Sequence, residues 1–402
     1  MQGSLKLFCF TVLASTILAW GLRYPLFEYA NRFSDLTDAT SKIRHISDGG
    51  EELMKGLPLF PYPAPAVLVY CALILPFQHP VVAYLVFCLF ASLTGAGLIL
   101  KGLGSARNFQ NITAIAITFG CSYPIMFCVD RGNIEIVSVL LCAYGLALFV
   151  HKSYYPSSIM FALAVAIKPF PVLFFYLFLK RKLYKQIGAA AITFLAVNLL
   201  ALYWIGPSIP VAYHALKQGS ALFFKEYVLQ YHYSEIGFDH SLFSCVKQVL
   251  RISMREIPKW QAIGPAFWVY SGISALIIGF TAFYFWHKPA LNQLFAVVSL
   301  ILLLPPVSID YTLMALLLVW GALLIHMAQE EVPNAILFLM PLALLMTPQS
   351  YLRIGNTGFG GQAKAILLLI LLGVAAKIDL PSRLFGEITA PVTQQKRRRF
   401  PV

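Results

Sequence analysis

The chain has 402 residues, of which 59% are hydrophobic and only 12% charged, with a formal net charge of +13. Apolar runs repeatedly approach the ~20 residues needed to cross a ~30 Å hydrocarbon core, which excludes a soluble globular domain; they are continuous and do not alternate, which excludes a transmembrane barrel. The basic excess sits at the ends of apolar runs and in the tail Lys396-Arg397-Arg398-Arg399, the distribution of cytoplasmic loops and not of a nucleic-acid surface.

In chain order, residues 5–22 form the first apolar run, which lacks a small-x-small cleavage site before Arg23 and reads as an uncleaved first helix. A polar stretch, 23–57, holds Asp35 and Asp38 and forms the first large loop. After Phe60-Pro61-Tyr62-Pro63-Ala64-Pro65, residues 64–77 read as a helix partly embedded on the outer face and 81–100 as a span, closed by Lys101 and Arg107. Spans at 112–129 and 136–150 flank the charged hinge Asp130-Arg131-Gly132-Asn133-Ile134-Glu135. The run 156–179 carries Lys168-Pro169-Phe170-Pro171 at its middle, and its two prolines break it into half-length helices meeting at Lys168. A span at 187–205 leads to a second long polar loop, 206–261, followed by spans at 263–286, 291–304, 313–327, 335–346 and 363–376 and a basic cytoplasmic tail, 391–402. The expected architecture is a single all-α domain over 1–402, a polytopic helical bundle of about ten spans plus half-helices.

Basic loops belong to the cytoplasm, and each crossing changes sides. With the tail inside, counting backwards puts Asp35, Asp38, Asp130, Arg131, Glu135, Glu235, Asp239, His240 and Asp310 on the outer face, with Lys168 reaching toward them from its half-helices. Ionisable groups at membrane depth mark functional sites. Carboxylates on one face with an Arg and a Lys suit a reaction in which a carboxylate takes a hydroxyl proton while cations hold a phosphate. Each residue also has a plainer reading: a snorkelling Lys168, an Arg131 paired with Asp130 or Glu135, and helix-capping roles for His240 and Asp310. Tyr227, Tyr231, His232 and Tyr233 read either as a platform for a sugar ring or as an interfacial aromatic belt. The seven cysteines include no CxxC, and no metal-ligand spacing occurs, so neither a disulfide framework nor a metal site is expected.

The succession Phe60-Pro61-Tyr62-Pro63-Ala64-Pro65, the Asp130 to Glu135 hinge, and Ala164-Val165-Ala166-Ile167-Lys168-Pro169-Phe170-Pro171 with its following basic cluster resembles glycosyltransferase family 87. These are GT-C membrane enzymes that include bacterial polyprenyl-phosphate-mannose-dependent mannosyltransferases. More loosely, Gly237-Phe238-Asp239-His240-Ser241-Leu242 is similar to the family's Gly-Asn-x-Ser-Leu, and the stretch Leu304 to Tyr311 to its Ser-Pro-Ile-Ser-Trp-x-His. The chain departs from the pattern in having Arg131-Gly132 where the family shows Gly-Gln, and Asp239 where it shows asparagine.

The resemblance implies inverting transfer of a hexosyl group, by analogy mannosyl, from a polyprenyl-phosphate donor to a lipid or glycan acceptor. The active site would lie on the extracytoplasmic face of a bacterial inner membrane. The lipid-linked sugar is a co-substrate, and no separate cofactor or nucleic acid is implied. An aspartate in the first outer loop would be the general base. Asp35 and Asp38 both qualify, and Asp35 is preferred because it lies nearer the exit of the first helix. Asp130, Arg131, Asn133, Glu135, Lys168, His240 and Asp310 would bind substrate. The competing classes are a transporter or lipid flippase, suggested by the broken helices, and a membrane glycan polymerase or ligase.

Overall fold

A computed structural model describes residues 17, 33–47, 62–74, 76–103, 120, 122–233, 235–254, 257–329, 332, 334–348, 352–354, 357–381 and 383–385. Apart from Ile17, the expected first helix lies outside the described residues, as do the basic tail and half of the expected span 112–129.

The described chain is helical. In order it runs α1 (Ser34–Ser47), α2 (Ala64–Ile74), α3 (Pro80–Leu103), α4 (Tyr123–Arg131), α5 (Glu135–Val150) and α6 (Tyr154–Ile167). Then come α7 (Phe175–Lys180), α8 (Tyr184–Ile205), α9 (Ile209–Phe223), α10 (Leu242–Met254) and α11 (Trp260–Phe285). The last are α12 (Ala290–Leu303), α13 (Leu316–Gln329), α14 (Ile336–Leu345) and α15 (Gly360–Lys377). Among the described residues, extended pairing is confined to a hairpin of Arg353–Ile354 with Thr357–Gly358 and a bridge between Asp239 and Ile309.

Among the described residues, five helical stretches are long and apolar enough to cross a membrane: Pro80–Leu98, Tyr184–Ile205, Trp260–Phe285, Asp310–Met327 and Gly360–Lys377. Several others, α5, α6, α12 and α14 among them, are apolar but only 10–17 residues long. Tyr184–Ile205 and Trp260–Phe285 leave rows of large apolar side chains exposed, including Leu195, Leu199, Trp268 and Phe283. A surface of that kind needs lipid against it. By contrast α12 is buried nearly all round, as expected of a helix that is apolar on every face, and forms the middle of the bundle. Its two amides are satisfied. Asn292 Nδ2 donates to the carbonyls of Ala375 (2.7 Å) and Ile378 (2.6 Å), and Gln293 Nε2 donates to Phe285 (2.9 Å) and Lys288 (3.0 Å).

The helix break at Lys168 is present. The residue ends α6 in an extended conformation (φ −140°, ψ 132°), and a 3-10 turn, Phe170–Phe174, leads into the short α7. Against α5, α6 packs closely: a Cβ on Gly145 would stand 3.0 Å from the Phe161 ring, and Ser157 Oγ donates to the Gly145 carbonyl at 2.7 Å.

The stretch 206–261 is not the loop its polarity suggested. It folds into α9, a π-helical turn Phe224–Val228, and α10. In α10, Phe243 is buried while Arg251 and Val249 lie further out. Averaged hydropathy is low for such amphipathic helices even though one face packs. The first loop likewise contains α1, which buries Leu36 and Ala39.

Candidate active site

The site is assembled at the hinge between α4 and α5. Gly132 closes α4 in the left-handed region (φ 69°), where its N–H bonds the Val129 carbonyl (3.1 Å) and the Asn133 N–H bonds that of Cys128 (3.1 Å). The buried Tyr84 hydroxyl lies 3.0 Å from the Cys128 carbonyl and 2.8 Å from that of Asn133, pinning the turn from α3. Glycine is required at 132 for a second reason. A Cβ there would stand 2.6 Å from Leu36 Cβ, because α1 rests directly on the turn. The Phe33 N–H bonds the Asp130 carbonyl at 2.6 Å and sets the entry to α1.

This contact delivers Asp35, in the first turn of α1, to the hinge. Its Oδ1 lies 3.4 Å from Arg131 Nη2, and its Oδ2 accepts from Asn133 Nδ2 at 2.7 Å. The Asn133 amide is oriented by its own oxygen, which accepts the Glu135 N–H at 2.9 Å. Its Nδ2 also lies 3.3 Å from the Tyr62 hydroxyl. Glu135, at the start of α5, reaches across to Lys168, with Oε2 3.3 Å from Nζ. That ammonium stands 5.4 Å from the centroid of the Tyr62 ring and 5.9 Å from that of Tyr311, within cation–π range of both. Four separated segments thus meet: α1, the Pro-rich stretch before α2, the hinge, and the Lys168 break.

Glu135 and Lys168 line a cavity of about 80 Å³, with Pro171, Pro305, Ser308, Tyr311 and Thr312 on other sides. Val139 and Leu318 belong both to this cavity and to a larger one of about 470 Å³ between α3, α5 and α13. The larger cavity is lined almost wholly by apolar side chains from Ile136 along α5, and reaches Lys101 and His151 at its far end. At ~1.5 Å per residue, the length of α5 from Ile136 to His151 spans ~22 Å.

Asp35, Arg131, Asn133, Glu135 and Lys168 are therefore brought together. Asp130 takes part through its backbone carbonyl. Asp38, one turn along α1, is exposed to solvent, and it is Asp35 that meets Arg131 and Asn133. His240 and Asp310 are buried and do not line the cavity. His240 Nδ1 lies 3.5 Å from Asp310 Oδ1, and the other carboxylate oxygen of Asp310 lies 2.5 Å from Lys364 Nζ and 2.6 Å from the Tyr123 hydroxyl.

Glu235, beside Arg131, has its carboxyl pK raised by burial, against the opposing pull of the guanidinium. Lys247 is lowered by burial to about 8, its Nζ donating to the Gln230 carbonyl at 2.9 Å. Asp239 is raised by burial, although the Ser308 and Ser241 N–H groups, each 3.0 Å away, oppose the shift. The aromatic set of the second loop is occupied internally. Tyr227 stacks between Phe223 and His232 while its hydroxyl bonds Glu235, and Arg251 lies against Tyr231 and Tyr233.

Tyr62, Tyr311 and Lys364 carried no assigned role in the sequence reading. Only Lys364 had a signal of its own: a lysine one turn inside an apolar helix demands a partner. Among the described residues, no three His, Cys, Asp or Glu side chains are grouped to hold a metal ion.

No curated protein matches the sequence. A family model does, that of glycosyltransferase family 87, over residues 60–306, which spans the hinge, the Lys168 break and most of the helices that form the cavities. On that match, covering more than half of its length, the chain belongs to glycosyltransferase family 87.

Proposed function

We propose that this membrane glycosyltransferase moves a hexosyl group, by resemblance mannosyl, from a polyprenyl-phosphate donor to a lipid or glycan acceptor. The transfer inverts the anomeric centre and takes place on the extracytoplasmic side of a bacterial inner membrane, in a GT-C-type bundle of about ten spans. The observation that carries this reading is the Lys168 cavity. Lys168 and Glu135, an ammonium and carboxylate pair, line a small cavity that shares the walls Val139 and Leu318 with an apolar cavity about as long as several isoprene units, and Asp35 is held on Arg131 and Asn133 of the same hinge. An amphiphile with a phosphate at its head and a hydrocarbon tail has that shape.

In the proposed reaction Asp35 accepts the proton of the acceptor hydroxyl as the hydroxyl oxygen bonds to the anomeric carbon. The bond from that carbon to the phosphate oxygen breaks in the same step, and its electron pair leaves with the phosphate. The leaving group then carries one more negative charge, which Lys168 and Arg131 are placed to stabilise. One displacement inverts the centre.

The test is transfer by the purified full-length chain in nanodiscs, supplied separately with polyprenyl-phosphate mannose and with GDP-mannose in the presence of a bacterial lipid extract. Acceptor-dependent release of polyprenyl phosphate from the first donor, and none from the second, is expected. Transfer from the nucleotide sugar, or movement of the lipid-linked sugar across the bilayer with no transfer, would refute the reading.

A further inference from the structure

We propose that Ser308 and Thr312 form a second wall of the phosphate site that contains Lys168: the buried His240 positions the pair by accepting one of their two hydroxyl protons, and the other proton is donated to the donor phosphate. The proposal rests on the reading of the Lys168 cavity given above.

Both hydroxyl residues line the cavity that contains Lys168 and Glu135. A space of about 80 Å³ exceeds what one water needs and has room for a phosphoryl group. Because Glu135 already stands 3.3 Å from Lys168, part of that positive charge is spent before any ligand arrives. An anion entering there needs donors from another side. Ser138, which also lines the cavity, has its hydroxyl 3.4 Å from the Ala164 carbonyl.

Proton counting shows why Ser308 and Thr312 can donate. Asp310 Oδ1 lies 3.5 Å from His240 Nδ1, and a carboxylate there favours the tautomer with its proton on Nδ1. Nε2 then has one lone pair, facing Ser308 Oγ at 3.0 Å and Thr312 Oγ1 at 3.3 Å, and those hydroxyls are 3.0 Å from each other. Two hydroxyl protons face one nitrogen lone pair. One hydroxyl donates to the ring and the other donates to its neighbour. The second proton can turn into the cavity, exchanging a neutral hydrogen bond for a stronger one to an anionic oxygen.

His240 is fixed from behind: Asp310 is itself held by Lys364 and Tyr123, and the His240 N–H bonds the Ser308 carbonyl at 2.9 Å. His240 and Asp310 are thus positioning residues that act through Ser308 and Thr312. The same two hydroxyl residues tie α15, through Lys364, to the phosphate pocket.

The experiment measures dissociation constants of undecaprenyl phosphate and of the uncharged undecaprenol for the full-length protein in detergent. The variants are Ser308→Ala, Thr312→Val and Thr312→Ser. Wild type is expected to prefer the phosphate. Ser308→Ala and Thr312→Val should each weaken phosphate binding about tenfold, the scale of a hydrogen bond to a charged group, with undecaprenol binding unchanged and Thr312→Ser close to wild type. A merely structural defect would weaken both lipids alike and so overturn the proposal. Full phosphate preference in both Ser308→Ala and Thr312→Val also overturns it, leaving the Lys168 site standing. Absence of any phosphate preference in wild type refutes the phosphate reading of the cavity itself, and this inference with it. Ser308→Ala removes a single oxygen and Thr312→Val is isosteric, so either variant alone carries the comparison.

Discussion

Replacing Asp35 by asparagine is the sharpest test of the proposed chemistry, because it keeps the shape of the side chain and removes its capacity to take a proton. The structural cost is calculable from its two contacts. Oδ2 accepts from Asn133 Nδ2 at 2.7 Å and Oδ1 lies 3.4 Å from Arg131, so either orientation of the new amide turns its NH₂ toward another donor. The loss is one charge-assisted hydrogen bond at a partly exposed position, about 1 kcal/mol after solvent screening. The helix that carries the residue keeps its anchors, the Phe33 to Asp130 backbone bond and the buried Leu36 and Ala39. Loss of a general base costs a factor of about 10²–10⁴ in rate, or ~3–5 kcal/mol of barrier, well above that structural term. Steady-state transfer with a polyprenyl-phosphate donor should therefore show kcat reduced at least about a hundredfold in Asp35→Asn, with the donor KM little changed. Asp38→Asn, on the exposed side of the same helix, should change kcat by less than about fivefold, the scale of a surface ion pair. If Asp35→Asn keeps kcat near wild type, the assignment of the base is wrong. If Asp38→Asn carries the large loss instead, the base is one turn further along α1.

Three further outcomes are expected. Lys168→Met should raise the donor KM by about ten- to a hundredfold, the worth of one charged contact to phosphate; an unchanged donor KM would reduce Lys168 to a partner for Glu135. Gly132→Ala forces a Cβ to 2.6 Å from Leu36 at φ 69°, so α1 must move away from the hinge; a melting temperature and kcat both equal to wild type would show that this seat does not position Asp35. Lys247 has its pK lowered from 10.5 to about 8 by burial, so between those values the unfolded chain binds the proton and the folded one does not. The sign follows: this group's destabilisation is fully felt below pH 8 and is relieved as pH rises toward 10.5, by on the order of 3 kcal/mol. Thermal melts in detergent should show Lys247→Met losing that rise relative to wild type, and parallel pH profiles for the two proteins would contradict it.

The spans were legible because a bilayer imposes one rule, a long uninterrupted apolar run, that local sequence satisfies on its own. The 81–100, 187–205, 263–286 and 363–376 runs each correspond to a helix, Pro80–Leu103, Tyr184–Ile205, Trp260–Phe285 and Gly360–Lys377, and the Pro169 and Pro171 break falls where proline geometry requires. The helices inside 23–57 and 206–261 were not legible by that rule. α10 mixes Lys247, Gln248 and Arg251 with Phe243, Val246 and Leu250, and the amphipathic face that holds it in place disappears when hydropathy is averaged. Its burial comes instead from Phe243, Ile263 and Tyr270 meeting across the turn into α11.

The site shows a different limit, in pairing. Read along the chain, Arg131 has carboxylates at Asp130 and Glu135, and an ion pair within the hinge is the natural expectation. The fold separates them. Arg131 is the last residue of α4 and Glu135 the first of α5, with Gly132 in the left-handed region between, so the two side chains leave the turn in different directions. Arg131 takes Asp35, 96 positions away, and Glu135 takes Lys168 from the broken helix. Each cation is thereby matched to one carboxylate before substrate arrives, so that no single charge is left unpaired in a partly buried setting, which would cost several kcal/mol. The residue types proposed for phosphate and proton chemistry were readable as a list; which carboxylate stands beside Arg131 was decided by the seat of α1 on Gly132, a contact between backbone and a methylene that no local pattern encodes.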